Sequence, residues 1–220
     1  MLADNYKKVI ELIDSAARSR GCDPKTIKLI AVTKTVGIEE VRRAFDLGIK
    51  DFGENRVQDA AVKVEGIPEA RWHFIGHLQT NKVKDVLHAY SLIHSLDRLS
   101  LAEALQNCAE RLNITVEVLI QVNVSGEESK YGLAPEELPR LLKDIAAFDR
   151  LHPRGLMTMA PFVDDPEETR PYFRQLRQLR DENAKPGLEL PELSMGMTND
   201  FTVAVEEGAT MVRIGSALFG

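Results

Sequence analysis

Apolar side chains recur along the chain in two alternating rhythms. Tyr6, Val9, Ile10, Leu12, Ile13 and Ala16 fall at helical spacing, which predicts an amphipathic helix over residues 3–20. Gly21 and Pro24 stop it. Leu29, Ile30, Ala31 and Val32 then form a continuous apolar run with β-branched members. Such a run fits a strand covered on both faces. It ends close to Lys34. Beyond Gly37 the helical period returns at Ile38, Val41, Ala44, Phe45 and Leu47, and Gly48 sits at a C-cap position.

The alternation continues to the end. Further strands are expected over residues 49–55, 72–75, 92–96, 116–124, 155–159, 193–197 and 211–214. Helices are expected over 56–64, 82–88, 98–112, 135–148, 165–183 and 201–207, with Pro166 suited to a first turn. No Asn-Gly or similar hairpin signal interrupts the series. Strands separated by helices demand parallel pairing and right-handed crossovers. Eight such units close into a (β/α)8 TIM barrel of the α/β class. An open doubly wound sheet is the alternative. Its usual dinucleotide form is set aside by the lack of a Gly-x-Gly-x-x-Gly turn after the first strand. No linker or composition shift divides residues 1–220, so one domain is expected, with the N-terminal helix covering the barrel base or side.

Composition narrows the function classes. The chain has 220 residues, 44% hydrophobic and 28% charged, with a formal net charge of -6. That balance supports a packed core and argues against disorder. No long basic block is present, which argues against nucleic acid as a partner. No apolar run reaches spanning length and the first residues lack a signal-peptide core, so no membrane association and a cytoplasmic location are expected. Cys22 and Cys108 have no metal-type spacing and read as free thiols.

In a barrel, chemistry gathers where strands end at the C-terminal face. The candidates there are Lys34, then Glu54 and Asn55, His77, Gln79 and Asn81, Asn123 and Ser125, Met157 and Thr158, the stretch Ser194 to Asp200, and Arg213 with Gly215 and Ser216. Lys34 either flanks the first strand in water or serves as an amine that forms an imine with a carbonyl. Ser194-Met-Gly-Met-Thr-Asn-Asp200 runs from strand to helix and suits an anion, with Gly196 allowing close approach and Thr198 offering a hydroxyl. It is equally a capped helix behind a tight turn. Arg213 alternates with Val212 and Ile214, so it points into the barrel. Its partner there is a ligand nitrogen or a carboxylate such as Glu54. His77 is a general base or a loop histidine bonded to backbone. An imine lysine together with a phosphate site points to pyridoxal 5'-phosphate (PLP).

Ala31-Val-Thr-Lys-Thr35, Phe52-Gly-Glu-Asn55, Trp72-His-Phe-Ile-Gly-His-Leu-Gln-Thr-Asn-Lys82, Gly155-Leu-Met157, Leu193-Ser-Met-Gly-Met-Thr-Asn-Asp200, Val212-Arg-Ile-Gly215 and Phe219-Gly220 span the chain in order. Together they resemble the pyridoxal phosphate homeostasis protein family, similar in fold to the N-terminal barrel of alanine racemase. The resemblance implies PLP held as an imine to Lys34, with Arg213 beside the pyridine nitrogen. It implies phosphate contacts from Ser194 or Thr198 and from backbone near Gly196, Gly215 and Ser216, with Asn55 and His77 near the cofactor. Met157 stands among the cofactor-binding candidates, although beside Met159 its apolar character reads as core. An arginine at the ring nitrogen disfavours a protonated pyridine and weakens the electron sink. Strand eight is followed closely by Gly220, so no β-rich second domain with a second base is expected. The function implied is reversible binding and buffering of PLP by a monomer, with transfer to PLP-dependent apoenzymes and indirect effects on amino-acid pools. The competing readings are a small PLP-dependent racemase or lyase, with Lys34 as one base and His77 or Tyr131 as the other, and a cofactor-free aldolase-type barrel.

Overall fold

The computed structural model describes residues 1–220, apart from the side chain of Asp59. Eight parallel strands close into one barrel in sequence order. They are β1 (Lys28–Val32), β2 (Asp51–Glu54), β3 (Arg71–Phe74), β4 (Leu92–Leu96), β5 (Val116–Gln121), β6 (Leu151–Met157), β7 (Glu192–Ser194) and β8 (Met211–Ile214). The helices are α1 (Leu2–Arg20), α2 (Ile38–Asp46), α3 (Val57–Gly66), α4 (Val83–Leu87), α5 (Leu99–Leu112), α6 (Leu138–Asp144), α7 (Arg170–Asn183), α8 (Phe201–Glu206) and α9 (Ser216–Phe219). β1 pairs with β8, setting Ile30 opposite Arg213, and that seam closes the ring.

Strand side chains alternate between two environments, as the period of two requires. Ala31, Phe52, Trp72, Phe74 and Ile93 face outward into the main core beneath the helices. Phe52 and Trp72 pack there with ring centroids 5.4 Å apart. Ile30, Leu92, Leu119, Met157 and Met211 form a second, smaller apolar cluster. These share parity with Asp51, His73, His94, Ser194 and Arg213, so the barrel interior carries an apolar ring and a polar column side by side.

The N-terminal helix lies along the side of the barrel against α8 and α9, not across its base. Asn5 Nδ2 donates to the carbonyl of Leu218 at 3.1 Å, which pins α9 from the far end of the chain. β6 starts at Leu151, earlier than the apolar run suggests. His152 and Arg154 face solvent and Pro153 interrupts the pattern, so only the paired backbone reveals the strand. The register slips between Val118 and Leu119 where Gly155 enters; a Cβ at Gly155 would sit 1.8 Å from the Glu192 carbonyl oxygen. A bulge of this kind is where a strand tolerates proline. β5 ends at Gln121, short of Val124, and α6 ends at Asp144, short of Phe148. α9 was not expected from the apolar pattern, because a single turn carries too few positions to show a period. Among the described residues, no helix is long and apolar enough to cross a membrane.

Candidate functional site

The C-terminal ends of β1, β2, β6, β7 and β8 and the loops beyond them enclose a cavity of about 580 Å³. Lys34 extends into it from the turn after β1, with the same parity as Ile30 and Val32. Among the described residues, Lys34 has no hydrogen-bond or ion-pair partner. Arg213 forms part of the lining from β8 and is only 4% exposed. Its Nη1 donates to Ser194 Oγ at 2.6 Å and its Nη2 to the Thr158 carbonyl at 2.8 Å. Among the described residues, no carboxylate lies within ion-pair distance of it. Burial lowers its pKa to about 10, against the opposing field of Asp200.

Thr198, Gly215 and Ser216 meet at the β7–β8 side of the cavity. Ser216 Oγ lies 3.2 Å from Thr198 Oγ1, and the Ala217 N–H donates to Thr198 Oγ1 at 3.3 Å. Asp200 caps the turn before α8 by accepting from the Met197 N–H at 2.6 Å. Burial raises its carboxyl pKa despite that bond and the charge on Arg213. Val32, Ile75, Met159, Phe162 and Val163 supply an apolar wall, and Asn55 closes the β2 side.

The structure therefore gathers Lys34, Asn55, Met197, Thr198, Asn199, Asp200, Arg213, Gly215 and Ser216 around one cavity and sets Met157, Ser194, Gly196, His77, Asn123 and Glu54 apart from its lining. Met157 is fully buried in the apolar ring of the barrel interior. Ser194 is fully buried too, with its hydroxyl committed to Arg213 and His94, so it supports the cavity from behind. Gly196 turns toward helix α8: its φ is +91°, and an added Cβ would meet Ala204 Cβ at 2.6 Å. His77 lies in a neighbouring pocket with Gln79 and Lys82. It stacks on Tyr131 at 3.9 Å, and its Nδ1 is 3.5 Å from Asp97 Oδ2. Asn123 bonds the loop carbonyl of Glu127 at 2.9 Å. Glu54 is not the partner of Arg213. It faces outward, where Oε1 accepts from Lys63 at 2.7 Å and from Thr33 Oγ1 at 2.6 Å.

Sequence reasoning missed the Pro161-Phe162-Val163 wall and the histidines behind Arg213. The first had a weak signal, an apolar triplet inside a polar loop after a strand. The second had a clear one: His73 and His94 sit at inward parity, the argument that placed Arg213. Among the described residues, no group of His, Cys, Asp and Glu is arranged to hold a metal ion.

Comparison with known proteins is consistent over the whole length. The alanine racemase N-terminal domain family matches residues 13–220. A pyridoxal phosphate homeostasis protein of Aquifex aeolicus is 47% identical over 220 residues, covering 99% of this chain and 96% of the relative. One from Pseudomonas aeruginosa is 41% identical over 221 residues, covering 100% and 95%. Among solved structures, PipY of Synechococcus elongatus with PLP bound superposes with a TM-score of 0.85 at 34% identity, covering all of both chains. The chain belongs to the pyridoxal phosphate homeostasis protein family, built on the barrel of the alanine racemase N-terminal domain.

Proposed function

We propose that this protein binds PLP reversibly at Lys34, buffers the reactive aldehyde and hands the cofactor to PLP-dependent apoenzymes. The observation that carries the reading is a lysine and a buried arginine lining one cavity, the lysine without a partner and the arginine without a carboxylate among the described residues. The residues suit the group. A cavity of about 580 Å³ is of the size that takes a small aromatic phosphate. Arg213 offers a donor where a ring nitrogen accepts. The Thr198 and Ser216 hydroxyls and the backbone at Gly215 suit the phosphate. Val32, Met159 and Phe162 suit the ring faces. The relative PipY is known with PLP bound.

Bound PLP would supply an aldehyde that reacts with amines and, in enzymes, an electron sink for carbanions. Lys34, which lines the cavity, would be the residue that holds the aldehyde, through its Nζ and reversibly. Arg213 would donate toward the ring nitrogen and, being a cation, would disfavour a proton there, which would weaken the sink. His77 and Tyr131, the side chains that a two-base reaction would recruit, stack on each other away from the cavity lining. The cavity's own titratable side chains are Lys34, Asp200 and Arg213, and Asp200 is occupied by the turn before α8. These placements favour a carrier with effects on vitamin B6 and amino-acid homeostasis over a racemase or lyase.

The test is spectroscopic. Protein incubated with PLP should turn yellow, and borohydride should bleach the colour and fix one adduct on Lys34. Lys34→Ala should give neither. A protein that stays colourless at millimolar PLP, or an adduct on another lysine, overturns the reading. Sustained turnover of single-enantiomer amino acids would replace the carrier with an enzyme.

A further inference from the structure

Five side chains form one unbroken hydrogen-bonded column through the barrel, from its N-terminal mouth to the floor of the cavity. Asp51 Oδ1 lies 3.0 Å from His73 Nε2, and His73 Nδ1 lies 2.9 Å from His94 Nε2. His94 Nδ1 lies 2.9 Å from Ser194 Oγ, which accepts from Arg213 Nη1 at 2.6 Å. All five are at least nine-tenths buried. At the mouth, Arg71 grips Asp51 with two donors and keeps a side chain 61% exposed.

Chemistry fixes the direction of each bond. Arginine has only donors, so Ser194 Oγ must accept from it. Burial opposes charge on Asp51, but the donors of Arg71 and His73 hold its pKa at about 2. Asp51 is therefore a carboxylate, and His73 Nε2 carries a hydrogen. Full burial, then the nearby His73, Arg213 and Lys28, push the His94 pKa down, so its ring is neutral and carries one hydrogen. With His73 also neutral, a single arrangement satisfies every contact: Ser194 O–H donates to His94 Nδ1, and His94 Nε2–H donates to His73 Nδ1. A proton added at His73 Nδ1 reverses the upper half. His94 must then accept on Nε2 and donate from Nδ1. Ser194 Oγ receives two donors, and its own hydrogen loses its acceptor in the column.

We propose that this column is a positioning relay: His94 acts through Ser194 to aim Arg213 into the cavity, and protonation near the opposite mouth alters how Arg213 is held. The proton comes from solvent and the hydrogens shift along the column: His94 Nε2 gives its hydrogen to His73 Nδ1, His94 Nδ1 takes that of Ser194, and Ser194 Oγ takes the added proton. The charged groups around the histidine pair are Asp51 on β2 with Arg71 on β3, Lys28 on β1 with Glu192 on β7, and Arg213 on β8 with Asp200 beyond it. β4, β5 and β6 face the interior with uncharged Leu92, Leu119 and Met157. The ligand-facing part of the inference rests on the PLP reading; the relay itself does not.

The experiment is ¹⁵N NMR of the unliganded full chain, labelled at histidine and arginine. At mildly alkaline pH, His94 should appear as the Nε2–H tautomer. On acidification it should switch to Nδ1–H, and the Arg213 side-chain signals should move with the same midpoint. Asp51→Asn should move that shared midpoint, because it removes the carboxylate 3.0 Å from His73 Nε2. Ser194→Ala should leave a titration at His94 that Arg213 no longer follows. A His94 Nδ1–H tautomer at alkaline pH, or Arg213 signals that ignore the titration, overturns the relay. In a parallel PLP titration, Ser194→Ala and His94→Gln should weaken affinity roughly three- to tenfold through loss of one aligned hydrogen bond. Unchanged affinity in both overturns the ligand-facing part. Failure of wild type to bind PLP refutes the cofactor reading alone, since the NMR arm needs no ligand. If His94→Gln does not fold, Ser194→Ala and Asp51→Asn carry the test.

Discussion

Arg213 keeps its charge at neutral pH although, among the described residues, only a hydroxyl, a carbonyl and the more distant Asp200 oppose the cost of burying it. Arrangements of this kind are costly in a core and make sense beside a ligand that accepts a hydrogen bond. Arg213→Glu should favour a protonated pyridine and move the absorption band of bound PLP; an unchanged band and affinity would show that the side chain does not reach the ring. Asp51 makes the opposite case, a carboxylate with three donors. Its folded pKa lies below its ordinary value of 3.8, so it stabilises the fold above about pH 4. That stabilisation, on the order of 2 kcal/mol, is lost as pH falls toward 2. Urea midpoints at pH 7, 4, 3 and 2 should show this steep acid loss in wild type. Asp51→Asn should be less stable at pH 7 and flatter below pH 4. Parallel curves for the two proteins would remove Asp51 from the account.

At the scale of elements, the glycine after β7 sets where α8 can lie. Gly196 has a φ of +91°, and its missing Cβ leaves room for Ala204 and for Phe201 Cα, the latter 2.9 Å from where that Cβ would be. Gly196→Ala should therefore cost roughly 2–4 kcal/mol, from strained backbone and overpacking together. A denaturant midpoint within error of wild type would contradict this. The same substitution should weaken PLP binding, because the Gly196 carbonyl accepts from the Arg213 backbone N–H at 3.0 Å. Element identities were legible in the apolar rhythm, which marks every strand and nearly every helix. The start of β6 was not, because exposed His152 and Arg154 around Pro153 hide the strand from any count of apolar residues. Nor was the true role of Gly196. A glycine that admits a ligand and one that admits a neighbouring helix read alike in one dimension.

For the molecule as a whole, ligand binding and folding are one equilibrium. At one hundred times its Kd, PLP should stabilise the fold by about 2.7 kcal/mol. For a chain of this size that raises Tm by roughly 5–10 °C. Lys34→Ala should show little of the rise, and a wild-type Tm that ignores PLP would show that the folded chain does not bind it. Closure into a barrel was legible from the count of alternating units. The division of its interior was not, because it depends on side chains brought together from β2, β3, β4, β7 and β8. Single-strand parity points His73, His94 and Ser194 inward, but only the registers of neighbouring strands bring them within 3 Å of one another.

The seam between β1 and β8 carries Lys34 on one side and Arg213 on the other. These strands are the first and last of the series, so their pairing closes the longest loop in the chain and belongs among its slow contacts. A half-formed barrel thus has no site. During refolding, capture of PLP should arrive with the final kinetic phase and not with the burst of secondary structure. On the proposed reading the cofactor would act as a chemical report of ring completion: the yellow colour expected of a Lys34 adduct would also count the chains whose circle has shut.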